Sequence, residues 1–192
     1  MKRDPPSRGK PACAVGRWTT WFVALFLLLT VGTVHAGGSF KTTTTLLRNQ
    51  EYAEALLNGI GNARESILCS FYLFKITETR NNQPARIAKE LVTARKRGVA
   101  VTVILENSGK ERDPLNADNH QTASYLIRGG VRVIFDSPRV TTHNKVVVID
   151  NRYLYLGSHN LTQGALRYNN ELSVLIDSPE MTAEVRAYLE RE

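Results

Sequence analysis

The sequence predicts an α/β fold: a mixed, largely parallel β-sheet flanked by helices on both faces, with a β-hairpin that carries the candidate site. Three observations predict it. Amphipathic helical stripes alternate with short apolar runs from residue 49 to residue 135, in the order αβαβαβ. The apolar runs are rich in β-branched residues and nearly continuous, as in strands buried on both faces. Two further apolar runs, residues 143–150 and 153–160, are separated only by Asn151-Arg152.

The elements follow in order. "NQEYAEALLNGIGNAR" carries Ala53, Leu56, Leu57 and Ile60 at helical spacing. "SILCSFYLF" is a short apolar strand. "QPARIAKELVTARKRG" is a helix with Pro84 in its first turn, Ile87, Ala88, Leu91 and Val92 on one face, and Gly98 at its end. Its last-turn cations Arg95, Lys96 and Arg97 suit the negative end of the helix dipole. "VAVTVIL" is a buried strand, "NADNHQTASYLIRGG" a helix closed by Gly129-Gly130, and "VRVIF" another strand. The polar loop "ENSGKERDPLNADN", from Glu106 to Asn119, is long enough to border a site. "PEMTAEVRAYLERE" reads as a closing helix.

Residues 1–36 read as an address rather than as structure. Five basic residues precede the run "WFVALFLLL", and "VHA" follows at Val34–Ala36, the positive–apolar–small order of a secretory signal peptide. An uncleaved N-terminal anchor is the alternative, although the run is shorter than the ~20 residues a spanning helix needs. The expected location is the periplasm or the outside of the cell. Residues 37–192 are then expected to form a single domain with a core of its own. Five of the 25 Lys/Arg and one of the 18 Asp/Glu lie in residues 1–36, so the net charge of +7 falls to +3 without them. That balance is compatible with an anionic substrate without demanding one. Cys13 lies in the leader, and Cys69, in an apolar run, leaves no internal disulfide and no zinc pattern.

The hairpin carries the chemistry. If Asn151 and Arg152 form a two-residue loop, Asp150 faces Tyr153, Lys145 faces Ser158, and His143 faces Asn160. Period two then places His143, Lys145, Ser158 and Asn160 on one face. Asp150 has the opposite parity and belongs in a turn or an ion pair. A fixed cation with neutral hydroxyl and amide donors suits a tetrahedral anion, most simply a phosphoryl group. Histidine is the neighbour able to act as nucleophile or as acid and base near neutral pH. A nucleophilic histidine needs an acceptor on its second nitrogen, and Glu171 is the candidate. No cluster of carboxylates suggests a catalytic Mg²⁺ site, so no metal and no cofactor are expected. Singly, each residue has a structural alternative; the spaced set is what points to catalysis.

"HNKVVVID" resembles the H-x-K-x4-D motif of the phospholipase D superfamily, and "GSHN" its G-S-x-N element. Glu171 occupies the place of the glutamate that follows, and "IAKELVTARKRGVAVTVILE" is also similar, so the resemblance spans most of residues 42–190. Glu106 stands where an aspartate is common. The resemblance implies that His143 attacks phosphorus to form a phosphohistidine, that Lys145, Ser158 and Asn160 bind phosphate oxygens, and that Glu171 orients His143. It also implies a second histidine to protonate the leaving oxygen. This chain holds one copy of the motif; His35 lies in the leader, and His120 and His159 lack the motif context. The expectation is therefore a homodimer with a composite active site, completed by His143 of the partner subunit.

Small exported members with one motif resemble the bacterial nucleases of this superfamily. The expected substrate is nucleic acid, DNA or RNA, cleaved without metal and without sequence preference. Arg139, Arg167, Lys110 and Arg112 are candidate phosphate contacts. The alternatives are a phospholipase D acting on phosphatidylcholine-type lipids and a non-catalytic phosphate-binding module.

Overall fold

The computed structural model describes Met1 and residues 38–110 and 112–191; the leader expected over residues 1–36 lies outside the described residues. Seven strands form one mixed sheet. Chain order is β1 (Thr43–Arg48), α1 (Glu51–Asn62), β2 (Ser66–Phe71), α2 (Gln83–Lys96), β3 (Ala100–Leu105), α3 (Pro114–Arg128), β4 (Arg132–Phe135), β5 (Lys145–Ile149), β6 (Tyr153–Gly157), α4 (Gln163–Arg167), β7 (Leu172–Asp177) and α5 (Pro179–Leu189). Spatial order is β1-β7-β6-β5-β2-β3-β4.

The mixed α/β class holds, but the sheet is not largely parallel. Only the β2–β3 and β3–β4 pairings are parallel; the other four are antiparallel. The αβ alternation that suggests parallel pairing ends at β4. Beyond it, β5 and β6 are joined by a tight turn and β7 returns beside them. Helices do cover both faces. On one, α1, α2 and α3 bury Leu56, Ile60, Ile87, Leu91 and Leu126 against Val103, Val147 and Ile149. On the other, α5 brings Met181, Val185 and Leu189 against Leu68, Val148, Leu154 and Ile176. Each such fully buried aliphatic side chain stabilises the fold by about 1.5–3 kcal/mol relative to exposure.

Local chemistry sets the helix ends. Asn82 caps α2 by accepting the Ala85 N–H at 2.9 Å, with Pro84 in the first turn, and Gly98 leaves the helix at φ 98°. Two of the three last-turn cations serve neighbouring helices. Arg97 donates to Ile60 O at 2.7 Å, and Arg95 to Gly130 O at 3.0 Å, so α2 satisfies carbonyls at the ends of α1 and α3. Asp113 caps α3 at Leu115 N, 3.0 Å away, so the helix starts within the expected loop.

The hairpin register differs from expectation by one residue. Ile149 pairs with Tyr153 and Val146 with Leu156. Asp150 and Asn151 both take left-handed φ values, 52° and 51°, and the turn spans Asp150 to Arg152. The side chains of Lys145 and Ser158 therefore do not stand opposite each other in the ladder. Both residues nevertheless stay at the same end of the sheet, because β6 stops at Gly157 and Ser158 lies beyond it.

Candidate active site

His143, Lys145, Ser158, Asn160 and Glu171 all fall at the ends of β5, β6 and β7 that point away from the hairpin turn. Lys145 opens β5 and is only 7% exposed. Its Nζ donates to the backbone O of His143 at 2.7 Å and lies 5.2 Å from the centroid of the Tyr72 ring. Burial pushes the pKa of this amine down, and the Glu171 carboxylate opposes the shift. His143 is exposed, and its ring lies 4.9 Å from that of Tyr72 at 58°.

The chain before His143 is tied down from two strand ends. Glu106, at the end of β3 and 2% exposed, accepts the Thr142 N–H at 2.6 Å. Asp136, just past β4, accepts the Thr142 hydroxyl. Glu106, which sequence alone gave no role, thus fixes the backbone one residue before His143. The loops after β3 and β4 lie against each other, since a Cβ added at Gly109 would sit 2.7 Å from Pro138 Cβ. Lys110, Arg112 and Arg139 are exposed on these two loops. Arg167 is exposed at the end of α4, and its guanidinium donates to Gln50 Oε1 at 3.3 Å.

On the other side of Lys145, Ser158 and Glu171 form a unit. Ser158 N donates to Leu172 O at 3.0 Å, and the Ser158 hydroxyl donates to Glu171 Oε2. Asn169 Nδ2 donates to Glu171 Oε1 at 3.1 Å. Among the described residues, Glu171 makes no hydrogen bond to His143 within the subunit; its carboxylate is engaged by Ser158 and Asn169. Glu171 is held from behind by Asn49, whose N–H donates to Glu171 O at 3.0 Å and whose Oδ1 accepts Glu171 N at 2.9 Å. Leu161 N donates to Leu73 O at 3.0 Å, which holds segment 158–161 beside the continuation of β2 that carries Tyr72. The Asn160 Oδ1 position is buried with no partner among the described residues.

The glycine of G-S-x-N has a steric cause. A Cβ at Gly157 would sit 2.1 Å from Ser173 Oγ, 2.4 Å from Ser173 Cα and 2.5 Å from Leu172 O. No side chain fits where β6 and β7 approach. The same Ser173 hydroxyl bonds His159 Nδ1 at 2.7 Å, while His159 Nε2 meets Asn49 O at 2.9 Å. A carbonyl only accepts, so Nε2 carries the hydrogen and Nδ1 accepts from Ser173. The buried ring stacks on Tyr52 at 4.3 Å, and burial pushes its pKa down against the opposing Asn49 bond and Glu171 charge. His159 is a structural pin. His120 packs its ring on Phe135 at 4.1 Å.

Asp150 lies at the far end of β5, in the turn. Its carboxylate accepts the backbone N–H groups of Arg64, Glu65 and Ser66 at 2.8–3.2 Å. Partial burial works against its ionisation, but the three N–H donors win and hold its pKa below the usual carboxylate value. Cys69 is buried, its thiol pushed up to about 12 by desolvation. Among the described residues, no three His, Cys, Asp or Glu side chains converge as a metal site would require. Nor is any described helix long and apolar enough to cross a membrane.

Residues 56–192 match the family model described as cardiolipin synthase, phospholipase D-like domain. Phospholipase D of Rickettsia conorii is 29% identical over 126 residues, 66% of this chain and 56% of that protein. A polyphosphate kinase of Vibrio parahaemolyticus is 29% identical over 119 residues, 58% of this chain but 17% of that protein. The chain thus spans little more than half, or less, of these relatives. Among solved structures, Nuc of Salmonella typhimurium, a phospholipase D family member, superposes with TM-score 0.66 and 25% identity, covering 79% of this chain and 93% of Nuc. NucT of Helicobacter pylori shares the fold, with TM-score 0.64, 22% identity, and coverage of 79% and 95%. With the motif histidine, lysine, serine, asparagine and glutamate gathered at one end of such a sheet, the chain belongs to the phospholipase D superfamily.

Proposed function

We propose that this domain is a phosphodiester hydrolase that cleaves nucleic acid without metal and without sequence preference, through a phosphohistidine on His143. The observation that carries the proposal is the buried Lys145 amine between the His143 backbone and the Ser158–Glu171 unit. A buried cation with an unfilled donor beside an exposed imidazole suits one phosphoryl group. The unpartnered Asn160 position supports it. Turned by half a rotation, the amide offers Nδ2 there, a donor for a phosphoryl oxygen.

A ring nitrogen of His143 attacks phosphorus and the bond to the leaving oxygen breaks. Lys145, Ser158 and Asn160 hold the non-bridging oxygens. A second histidine gives its proton to the leaving alkoxide, then takes one from the water that attacks phosphorus and breaks the P–N bond. In-line displacement puts that acid opposite His143, so it is His143 of the partner subunit in a homodimer. The face of the sheet away from α1–α3 supports this assembly. There Leu46 stands opposite Val174 and Val174 opposite Leu156, with Leu172 on the same face next to the site. Leu46, Leu156 and Leu172 are 53, 40 and 58% exposed, a flank a second copy covers.

Nucleic acid is favoured by Lys110, Arg112 and Arg139 on the paired loops beside His143. It is favoured too by the likeness to Nuc and NucT, 93% and 95% of whose chains are matched. One observation favours phospholipid instead. A cavity of about 280 Å³ beside His143 shares Asp136 and Ser137 with a larger one of about 640 Å³, floored by Leu68, Ile104 and Ile134. That trough suits an acyl chain. We place the enzyme in the periplasm or outside the cell, on the strength of residues 1–36.

The test uses residues 37–192 with supercoiled plasmid in excess EDTA, beside a His143→Asn control and phosphatidylcholine vesicles. Nicking that survives EDTA and vanishes in the variant is the expected result. Choline release without nicking transfers the assignment to lipid, and nicking abolished by EDTA refutes the metal-free mechanism.

A further inference from the structure

One aromatic ring touches both groups on which the proposed chemistry rests. Tyr72 follows β2, its N–H donating to Asn144 O at 3.1 Å, so the backbone holds it beside the start of β5. Its ring lies 4.9 Å from the His143 imidazole and 5.2 Å from Lys145 Nζ. Among the described residues the imidazole makes no hydrogen bond, and the Tyr72 ring packs against it. Among the described residues the Lys145 amine makes a single hydrogen bond, to His143 O at 2.7 Å. An ammonium has three donors. One is on that carbonyl and the ring face takes the charge, which leaves a direction open for a phosphoryl oxygen.

We propose that Tyr72 is a positioning residue that uses the π-face of its ring to keep Lys145 charged and to hold His143 at a fixed separation from it. The inference rests on the assignment of His143 and Lys145 to phosphoryl transfer. An ammonium within about 6 Å of a ring centroid is attracted by the ring quadrupole, more strongly when it is shielded from water. Lys145 is so shielded, and burial works against its charge. The ring supplies the missing favourable electrostatics at no cost in acidity, because it accepts no proton. Glu171 also faces this amine, but its carboxylate accepts from Ser158 and Asn169. A carboxylate placed where Tyr72 stands would repel the incoming phosphate; a neutral ring does not. The hydroxyl has no part in this role, so phenylalanine should replace tyrosine.

The experiment follows the Lys145 amine by NMR, with ¹³Cε-labelled lysine and a Lys145→Arg variant to assign the signal. The proteins are wild type, Tyr72→Phe, Tyr72→Leu, and chains with mono- to trifluorinated phenylalanine at position 72. The fluorinated series keeps the ring's volume while draining its quadrupole. The expected result is a Lys145 titration midpoint unchanged in Tyr72→Phe and falling stepwise with fluorination, lowest in Tyr72→Leu. kcat on bis(4-nitrophenyl) phosphate falls in parallel by about three- to tenfold, its alkaline limb moving to lower pH while KM stays near wild type. Thermal melts of the fluorinated chains control for loss of fold. A midpoint indifferent to fluorination overturns the proposal, whether or not the protein proves active. Loss in Tyr72→Phe equal to that in Tyr72→Leu overturns it as well, because the hydroxyl would then be the working part. An inactive wild type with a midpoint that tracks fluorination refutes the phosphodiesterase assignment and leaves the ring–ammonium contact standing.

Discussion

Replacing Gly157 by alanine isolates the steric requirement at the β6–β7 junction. The φ of Gly157 is not in the left-handed range, so the glycine is needed for space and not for conformation. An added Cβ would meet Ser173 Cα at 2.4 Å and Leu172 O at 2.5 Å, both backbone atoms that no rotamer change can move. Ordinary contact begins near 3.4 Å, so β7 must retreat by about 1 Å along its first residues. That movement pulls Leu172 O from Ser158 N, Glu171 from the Ser158 hydroxyl, and Ser173 from His159. Overpacking of this kind costs about 2–3 kcal/mol. For a domain of this size the melting point should fall by roughly 5–10 °C. Activity per folded molecule should fall by about 10²-fold, the usual consequence of a 1 Å misplacement at a reacting centre. Differential scanning calorimetry and turnover of a chromogenic phosphodiester measure the two effects. A Gly157→Ala protein that melts within a degree of wild type and turns over normally refutes the steric account.

Four other outcomes are expected. Glu106→Ala removes the acceptor for Thr142 N–H, so kcat drops about 10- to 100-fold with KM within about twofold, while Glu106→Gln, which keeps an acceptor, retains most of the rate in steady-state assays. Asp150→Ala strands the N–H groups of residues 64–66 and lowers stability by about 1–3 kcal/mol, read by urea unfolding, with turnover per folded molecule unchanged. Leu156→Glu places a charge on the exposed apolar flank, so sedimentation should report a monomer and phosphodiesterase activity should vanish together with the dimer. The last concerns pH. Burial pushes the His159 pKa down, so the unfolded chain binds that proton more readily than the folded one. This stabilisation is complete above the ordinary histidine value of ~6.5 and lost progressively as pH falls below it. Urea midpoints at pH 7.5 and 5 should differ, and His159→Gln should narrow the gap.

The signals that were legible in the sequence and those that were not differ for physical reasons. α2 was readable because Pro84 and Gly98 punctuate a clean apolar stripe, while its Asn82 cap shows only in the structure. Cys69 was readable because a small thiol in the apolar run "SILCSFYLF" belongs in the core. β1 was not: in "TTTLLR" five of six residues are exposed, so no hydrophobic alternation marks a strand held by backbone pairing to β7. The hairpin gathered the right residues in the wrong register, because Asp150 entered the turn in a left-handed conformation stabilised by contacts 84–86 residues away. The roles of Tyr72 and Glu106 were not legible for the same reason. Nothing local distinguishes an aromatic or an acid at a strand end from its surface counterparts; their partners, Lys145 and Thr142, lie 73 and 36 residues on.

Asn49 ties the two ends of the domain together. It sits at φ 48° between β1 and α1, exchanges two hydrogen bonds with Glu171, and accepts from His159. The strand that delivers Glu171 is the last of the sheet to be synthesised, and its outer neighbour is the first. Closing a loop of that length comes late in folding, after local contacts have formed. His143 and Lys145 precede in sequence the contact through which Asn49 fixes Glu171. The last part of the candidate site to be fixed is the one that depends on contact between the first and the last strand of the sheet.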